Sequence, residues 1–398
     1  MKKFTAAAVA ALSSVALMVS PAVATGTFGD LQTLNPNGGT NATDGIQINY
    51  AAGNVQVIRN GLAQIYPAQN DVDEYPLDYC GTGILPDPET IGCVSSSFIV
   101  SLEQTMGDYT HTFGTLDPYT SLPSSPIDAS ADGTGHEWLQ VTSDKTTQPD
   151  GSGTIHSVLS YPGFDFCDNG CSGDLTLDVV MEYTFPNQYY TVTTDVDFVV
   201  NSGDISASDW EARVFYYQDS TLSGLDEGNQ FLRTDSDGNT LFGVIRPDGI
   251  ALEGVRTHAG SPIHYFAGDY ACPVDDQADF CPEPDFGGWV LTGADLPDVI
   301  DPAEDIDNGF TVQGGDEVHL SGLAAAAEST STFDLLFMEC PAGTSDPTNC
   351  IETNGEEAEL ASTGTNAETL VGFGSAAALL IAAGVAVTLI QRRRQAIR

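Results

Sequence analysis

The chain has 398 residues, with 56 Asp and Glu against 12 Lys and Arg, and a formal net charge of −44 at pH 7. All but one of the acidic residues lie in 25–363, together with only six of the basic ones: Arg59, Lys145, Arg213, Arg233, Arg246 and Arg256. So dense a polyanion is repelled by nucleic acid and by anionic membrane surfaces, which excludes those partners; the charge then serves divalent cations, cationic partners or plain solubility in salt.

Met1-Lys2-Lys3-Phe4 makes a short basic start, and 5–20 is apolar and rich in Ala, Val and Leu. Pro21-Ala22-Val23-Ala24 then sets small residues where a signal peptidase reads. The pattern predicts a secretory signal peptide over 1–24; an uncleaved anchor is the alternative, for which the apolar run is short.

From 25 to 340 the chain reads as β structure. Alternating or β-branched runs predict strands at 53–58, 97–102, 137–142, 154–161, 175–185, 189–200, 210–217, 241–246, 250–255 and 331–338. Turn signals stand between them, among them Ala131-Asp132-Gly133, Asn201-Ser202-Gly203-Asp204, Asp237-Gly238-Asn239 and Pro247-Asp248-Gly249. The last two predict a meander of hairpins, and 324–327 is expected in a loop or strand edge. The fold class expected is all-β: a large antiparallel β-sandwich, either one extended sandwich or two packed domains. The Ser-, Pro-, Asp- and Gly-rich stretch 122–135 is the expected boundary or long loop. No internal repeat suggests a stalk of stacked modules.

Eight cysteines fall into local pairs: Cys80 and Cys93, Cys167 and Cys171, Cys272 and Cys281, Cys340 and Cys350. An even count in an exported chain argues for disulfides, with neighbour pairing the simplest scheme and the connectivity left open. Metal ligation is the alternative, although the spacings lack zinc-finger knuckles.

Beyond a polar spacer at 341–359 comes Leu360-Ala361-Ser362-Thr363-Gly364, then an uncharged apolar run at 370–390 and a tail at 391–398 with four arginines. The run is long enough to cross a bilayer as a helix at about 1.5 Å per residue, and the arginines hold the tail in the cytoplasm. Pentapeptide, span and basic tail in this order resemble the sorting signals of Gram-positive cell-wall-anchored surface proteins. The alanine at 361, where proline is usual, is similar to the form used by class E sortases of high-GC actinobacteria. The resemblance covers only 360–398. It implies that a sortase cuts between Thr363 and Gly364 and joins the Thr363 carboxyl to the amine of a peptidoglycan precursor. The alternative is a single-span membrane protein without sortase processing. Lys145 is the lone lysine of the exported segment, which argues against a polymerising pilus subunit and against several internal Lys–Asn crosslinks.

The cadence of 197–203, 213–219 and 222–224, a strand ending in Asn-x-Gly and the next leading into an aspartate-bearing loop, is similar to the large galactose-mutarotase-like β-sandwiches found in sugar enzymes and auxiliary domains. No catalytic residues carry over from that likeness.

Several clusters are candidates for chemistry. Asp235, Asp237 and Asn239 alternate oxygen ligands as a calcium loop does, and as a hairpin turn also does; Glu304, Asp305 and Asp307 pose the same choice. Asp219, Asp226 and Glu227 near Arg213 are carboxylates suited to acid–base work if two of them face each other. Arg256, His258 and His264 with Glu253 form a second such set. Tyr216, Tyr217, Tyr265 and Trp289 are aromatic platforms for sugar rings or core residues. Nucleophile-elbow, zincin, P-loop and dinucleotide fingerprints are absent from the sequence. Two functions are therefore expected in competition: a non-catalytic wall-anchored protein that binds a glycan or a surface partner, or a wall-anchored carbohydrate-active enzyme. Convergence of Asp219, Glu253, His258 and His264 in one cleft separates them.

Overall fold

A computed structural model of the chain describes residues 31–65, 96–104, 110–114, 133–136, 138–167, 170–202, 210–225, 227–258, 263–270, 272–273, 288–300, 308–320, 326–341 and 350. The signal peptide, the sorting signal with its apolar run, Cys80, Cys93, Cys281 and the 301–307 acidic stretch lie outside these residues.

The chain opens with β1 (Gln32–Leu34), β2 (Gln47–Ala51), β3 (Asn54–Arg59) and β4 (Leu62–Ala63), a small antiparallel sheet. Next come β5 (Ser96–Gln104), β6 (Thr110–Phe113), β7 (Gly133–His136), β8 (Gln140–Thr147), β9 (Gly153–Cys167), β10 (Cys171–Tyr183) and β11 (Tyr189–Ser202). The remaining elements are β12 (Trp210–Asp219), β13 (Asn229–Thr234), β14 (Thr240–Ile245), β15 (Ala251–Thr257), β16 (Ile263–Asp269), the single helical turn α1 (Trp289–Thr292), β17 (Val299–Ile300), β18 (Asn308–Leu320) and β19 (Ala326–Glu339).

Two large sheets carry most of these strands. One has eight strands in the order β13-β14-β15-β19-β11-β10-β9-β8; the other has seven in the order β17-β16-β18-β12-β5-β6-β7. Pairing is antiparallel apart from the short pairs β6–β7 and β16–β17, which are parallel. The expected all-β sandwich is thus present, and the hairpin meander is β13-β14-β15. Residues 133–135 of the expected boundary belong to β7, and one core cluster draws on residues from both sides of that stretch, from Leu34 and Phe113 to Trp138 and Phe337.

Sequence period explains the sandwich. In β10, Leu175, Leu177, Val179, Met181 and Tyr183 are buried while the residues between them face outward, and β11 repeats the pattern. Each such aliphatic side chain contributes on the order of 1.5–3 kcal/mol of gross burial. The small sheet adds Ile48, Tyr50, Val55 and Val57 to the same core. The other face of the seven-stranded sheet is covered by α1 and its flanks, where Trp289, Val290, Leu291 and Leu296 pack on Ile99, Phe215 and Phe266. Glycines 288 and 293, at φ 69° and 74°, allow the chain to enter and leave that one helical turn in the left-handed region. A third cluster, with Phe231, Leu252, Leu336 and Met338, is closed by the Cys340–Cys350 disulfide.

Candidate functional site

Glu253 is the most unusual of the residues singled out in the sequence. It stands on β15 between Ala251 and Val255, on the inner face of the eight-stranded sheet, and is fully buried. Gln218 Nε2 donates to its Oε2 at 2.8 Å and to Ser220 Oγ at 3.2 Å, while Tyr216 Oη donates to Gln218 Oε1 at 2.9 Å. Burial pushes the Glu253 carboxyl up to about 8, against the pull of the Arg59 charge and of hydrogen bonds from Ser220, the Leu222 backbone and Gln218. The group is therefore mainly protonated at neutral pH.

Arg59 is buried beside it. Its Nε donates to Gln64 Oε1 at 3.3 Å and its Nη2 to Ser223 Oγ. Ser223 lies in a stretch where Leu222, Ser223 and Gly224 are all left-handed, with φ of 42°, 62° and 87°. Such backbone persists only where its surroundings hold it; here Ser223 Oγ donates to Gln64 Oε1 at 3.0 Å and Thr221 N donates to Gln64 O at 2.9 Å. The network ties the small sheet to the sandwich.

Asp219 does not join Glu253. Along β12, Tyr216 packs in the main core and Phe215 and Tyr217 in the cluster under α1, so successive side chains face opposite ways. Gln218 takes the Glu253 side; Asp219, also buried, takes the other. Arg213 does not sit by Asp219 either. It donates to Asp295 at 2.9 Å and to Glu103 and Glu211 at 3.0 Å, which pins the segment after α1 onto β5 and β12. Asp226 lies outside the described residues, and Glu227 is exposed.

His258 and His264 also part company. His258 belongs to the outer face of the eight-stranded sheet. There Asp334, 1% exposed, accepts from Thr191 Oγ1 at 2.7 Å and Arg256 Nε at 2.8 Å, and lies 3.0 Å from His258 Nε2. His264, on β16 in the other sheet, lies 2.9 Å from Asp298. Tyr216, Tyr217 and Trp289 are buried core residues, and Tyr265 stacks on Phe242 with ring centroids 4.8 Å apart.

In the suggested calcium loop, the Asp235 carboxylate accepts from the backbone N–H groups of Asp237 and Asn239 at 2.9 and 2.8 Å and from Asn239 Nδ2 at 2.9 Å. These bonds make it the turn between β13 and β14. No group of three or more metal-ligating side chains occurs among the described residues. Cys340 and Cys350 are bonded as expected; Cys171 and Cys272 are also disulfide-bonded, Cys171 standing opposite Cys167 in the β9–β10 ladder.

Sequence reasoning missed a groove of about 320 Å³ at one end of the eight-stranded sheet. Its floor is the outer face of four adjacent strands: Thr146 of β8, Thr154 of β9, Glu182 of β10, and Tyr189 and Thr191 of β11. Its walls are two turns, Gln148 from β8–β9 and Thr184 and Asn187 from β10–β11. Consecutive register pairs align Thr146, Thr154, Glu182, Thr191, Asp334 and Arg256 in one row across six strands. The Arg256 guanidinium lies over the Tyr189 ring, 5.2 Å from its centroid. Alternation alone would mark these residues as outward-facing; only the register gathers them.

No protein-family model matches the chain, and none of the curated proteins is similar enough to it to count as a relative. Among solved structures, the chain is similar to a bacterial glucoamylase complexed with acarbose, at 11% identity and a TM-score of 0.33, over 83% of this chain and 35% of that one. The chain thus spans about a third of that protein's length, and a likeness this slight carries no argument about activity.

Proposed function

We propose that the chain is an exported, cell-wall-anchored surface protein, a sortase substrate that works by binding rather than by catalysis. The observation that carries this reading is the order of features at 360–398: pentapeptide, uncharged span and arginine tail. The signal peptide expected at 1–24 agrees with it, as do the disulfides of Cys171, Cys272, Cys340 and Cys350. The non-catalytic half of the reading is supported by the scatter of the acid–base candidates. Glu253 is sealed in the core, Asp219 faces the other side of β12, and His258 and His264 are bonded to different aspartates, Asp334 on β19 and Asp298 in the bend before β17.

Cys350 is held to the folded body by its disulfide, so the reach to Thr363 is at most roughly 45 Å at ~3.4 Å per residue. The sandwich would stand close to its attachment point. Fractionation of cells carrying Thr363→Ala tests the anchor: the variant is expected to move from the wall fraction to the detergent-extracted membrane fraction. An unchanged distribution would overturn sortase processing.

A further inference from the structure

We infer that the groove on the outer face of β8–β11 is a binding site for a short stretch of uncharged glycan, which gives a ligand class to the binding role proposed above and rests on it. The floor is rich in hydroxyls: Thr146, Thr154 and Thr191 stand side by side in one register row with the Glu182 carboxylate among them. Gln148 and Asn187 add an amide from each wall. A sugar ring presents alternating hydroxyl donors and acceptors around an apolar body. Hydroxyl, amide and carboxylate groups match the former, and the half-buried Tyr189 at the edge offers a ring to the latter. From Thr146 to Thr191 the row takes three inter-strand steps of about 4.8 Å each, enough for a short run of rings lying across the strands. A volume of about 320 Å³ is at the lower end of the ~300–1,000 Å³ of small-ligand sites.

Charge decides against acidic glycans. Among the described lining residues Glu182 is the one carboxylate, and none is Lys, Arg or His. Arg256, the cation in the same row, is already engaged by both its Nε and Nη2 with Asp334. The rest of the chain adds a strongly negative field. Phosphate, sulfate or uronate groups would find no cation among these residues to balance their charge and would meet Glu182.

The full-length chain, held in a zwitterionic detergent free of sugar groups, is titrated calorimetrically with neutral tetrasaccharides of glucose, mannose, galactose and N-acetylglucosamine, with tetragalacturonate as the anionic probe. Binding of at least one neutral probe is expected, weakened about tenfold or more by Thr154→Trp, which fills the floor, and by Glu182→Ala. Thr142→Trp, on the same sheet face but outside the groove, should leave affinity within about twofold. Circular dichroism of each variant reports folding, and Glu182→Ala, at an exposed position, keeps the test open if the tryptophan is not tolerated. The inference is overturned if no neutral probe binds at about 5 mM, if Thr142→Trp weakens binding as much as Thr154→Trp, if neither groove variant weakens it, or if tetragalacturonate binds as tightly. Wall attachment through Thr363, assayed separately, is untouched by any of these results, so the failure of the groove and the failure of the anchor are distinguishable.

Discussion

Glu253→Gln replaces a buried carboxyl by a neutral group of the same shape and removes one proton from the folding equilibrium. In the folded chain the carboxyl titrates near 8 rather than at its ordinary 4.5 because burial penalises the charged form. A raised folded value means that the native state holds the proton more tightly than the unfolded state. The resulting stabilisation is fully present below about 4.5 and is lost as pH rises through about 8. Between pH 5 and pH 9 the unfolded group is almost fully ionised while the folded one ionises only at the end, a difference of roughly 2.8 pH units at ~1.36 kcal/mol each. The wild type should therefore lose about 4 kcal/mol relative to Glu253→Gln over that range. Urea unfolding of both proteins at pH 5, 7 and 9 measures it. Every other titrating group is common to the two and cancels in the difference. Parallel pH profiles would refute the assignment of a neutral, buried Glu253.

Three further outcomes are expected. His136, whose ring sits 2.9 Å from His111 among Phe113, Tyr161 and Phe164, is pushed down to about 4 by burial. Its contribution is present above about 6.5 and lost as pH falls through about 4, so His136→Phe should flatten the acid limb of stability by roughly 1–2 kcal/mol once partial solvent screening is allowed for. Breaking the 10-residue Cys340–Cys350 link with a double alanine substitution should cost about 2–3 kcal/mol in urea unfolding through the freed unfolded chain. Arg213→Met strands Glu103, Glu211 and Asp295 around an apolar side chain; a loss of about 3 kcal/mol is expected, with faster hydrogen exchange across 288–296.

The long, regularly alternating strands were legible in the sequence. β10 and β11 each keep one apolar phase for most of their length, and β14 and β15 are set off by Asp237-Gly238-Asn239 and Pro247-Asp248-Gly249. Nine of the strands among the described residues carry no such signal in the sequence. β1, β4 and β17 are too short to show a period, and β18, with the run Gln313-Gly314-Gly315-Asp316, looks like a loop yet pairs with both β12 and β16. The predicted strand 175–185 overran, because β10 ends at Tyr183 before the turn that holds Pro186.

The site residues were harder to read for a related reason. His258 and His264 are six positions apart, but the chain between β15 and β16 passes from one sheet to the other, so neighbours in sequence part in space. Asp219 and Glu253 belong to two separate candidate sets whose convergence the enzyme reading requires, and strand alternation places them on opposite sides of β12. Glu253 did carry a signal, a carboxylate in phase with Ala251 and Val255, but Leu252 and Gly254 are also buried, so the strand showed no polar face against which to read it. The groove depends on the register of four consecutive strands and on two turns, so residues spread over 146–191 are gathered only once the strands pair.

The most direct test of the central claim is mass spectrometry of wall fragments released by muralytic digestion. The account predicts a chain that ends at Thr363, joined through its carboxyl to a wall peptide and lacking the segment from Gly364 onward. Recovery of the protein only in detergent extracts, with 364–398 still attached, would contradict it.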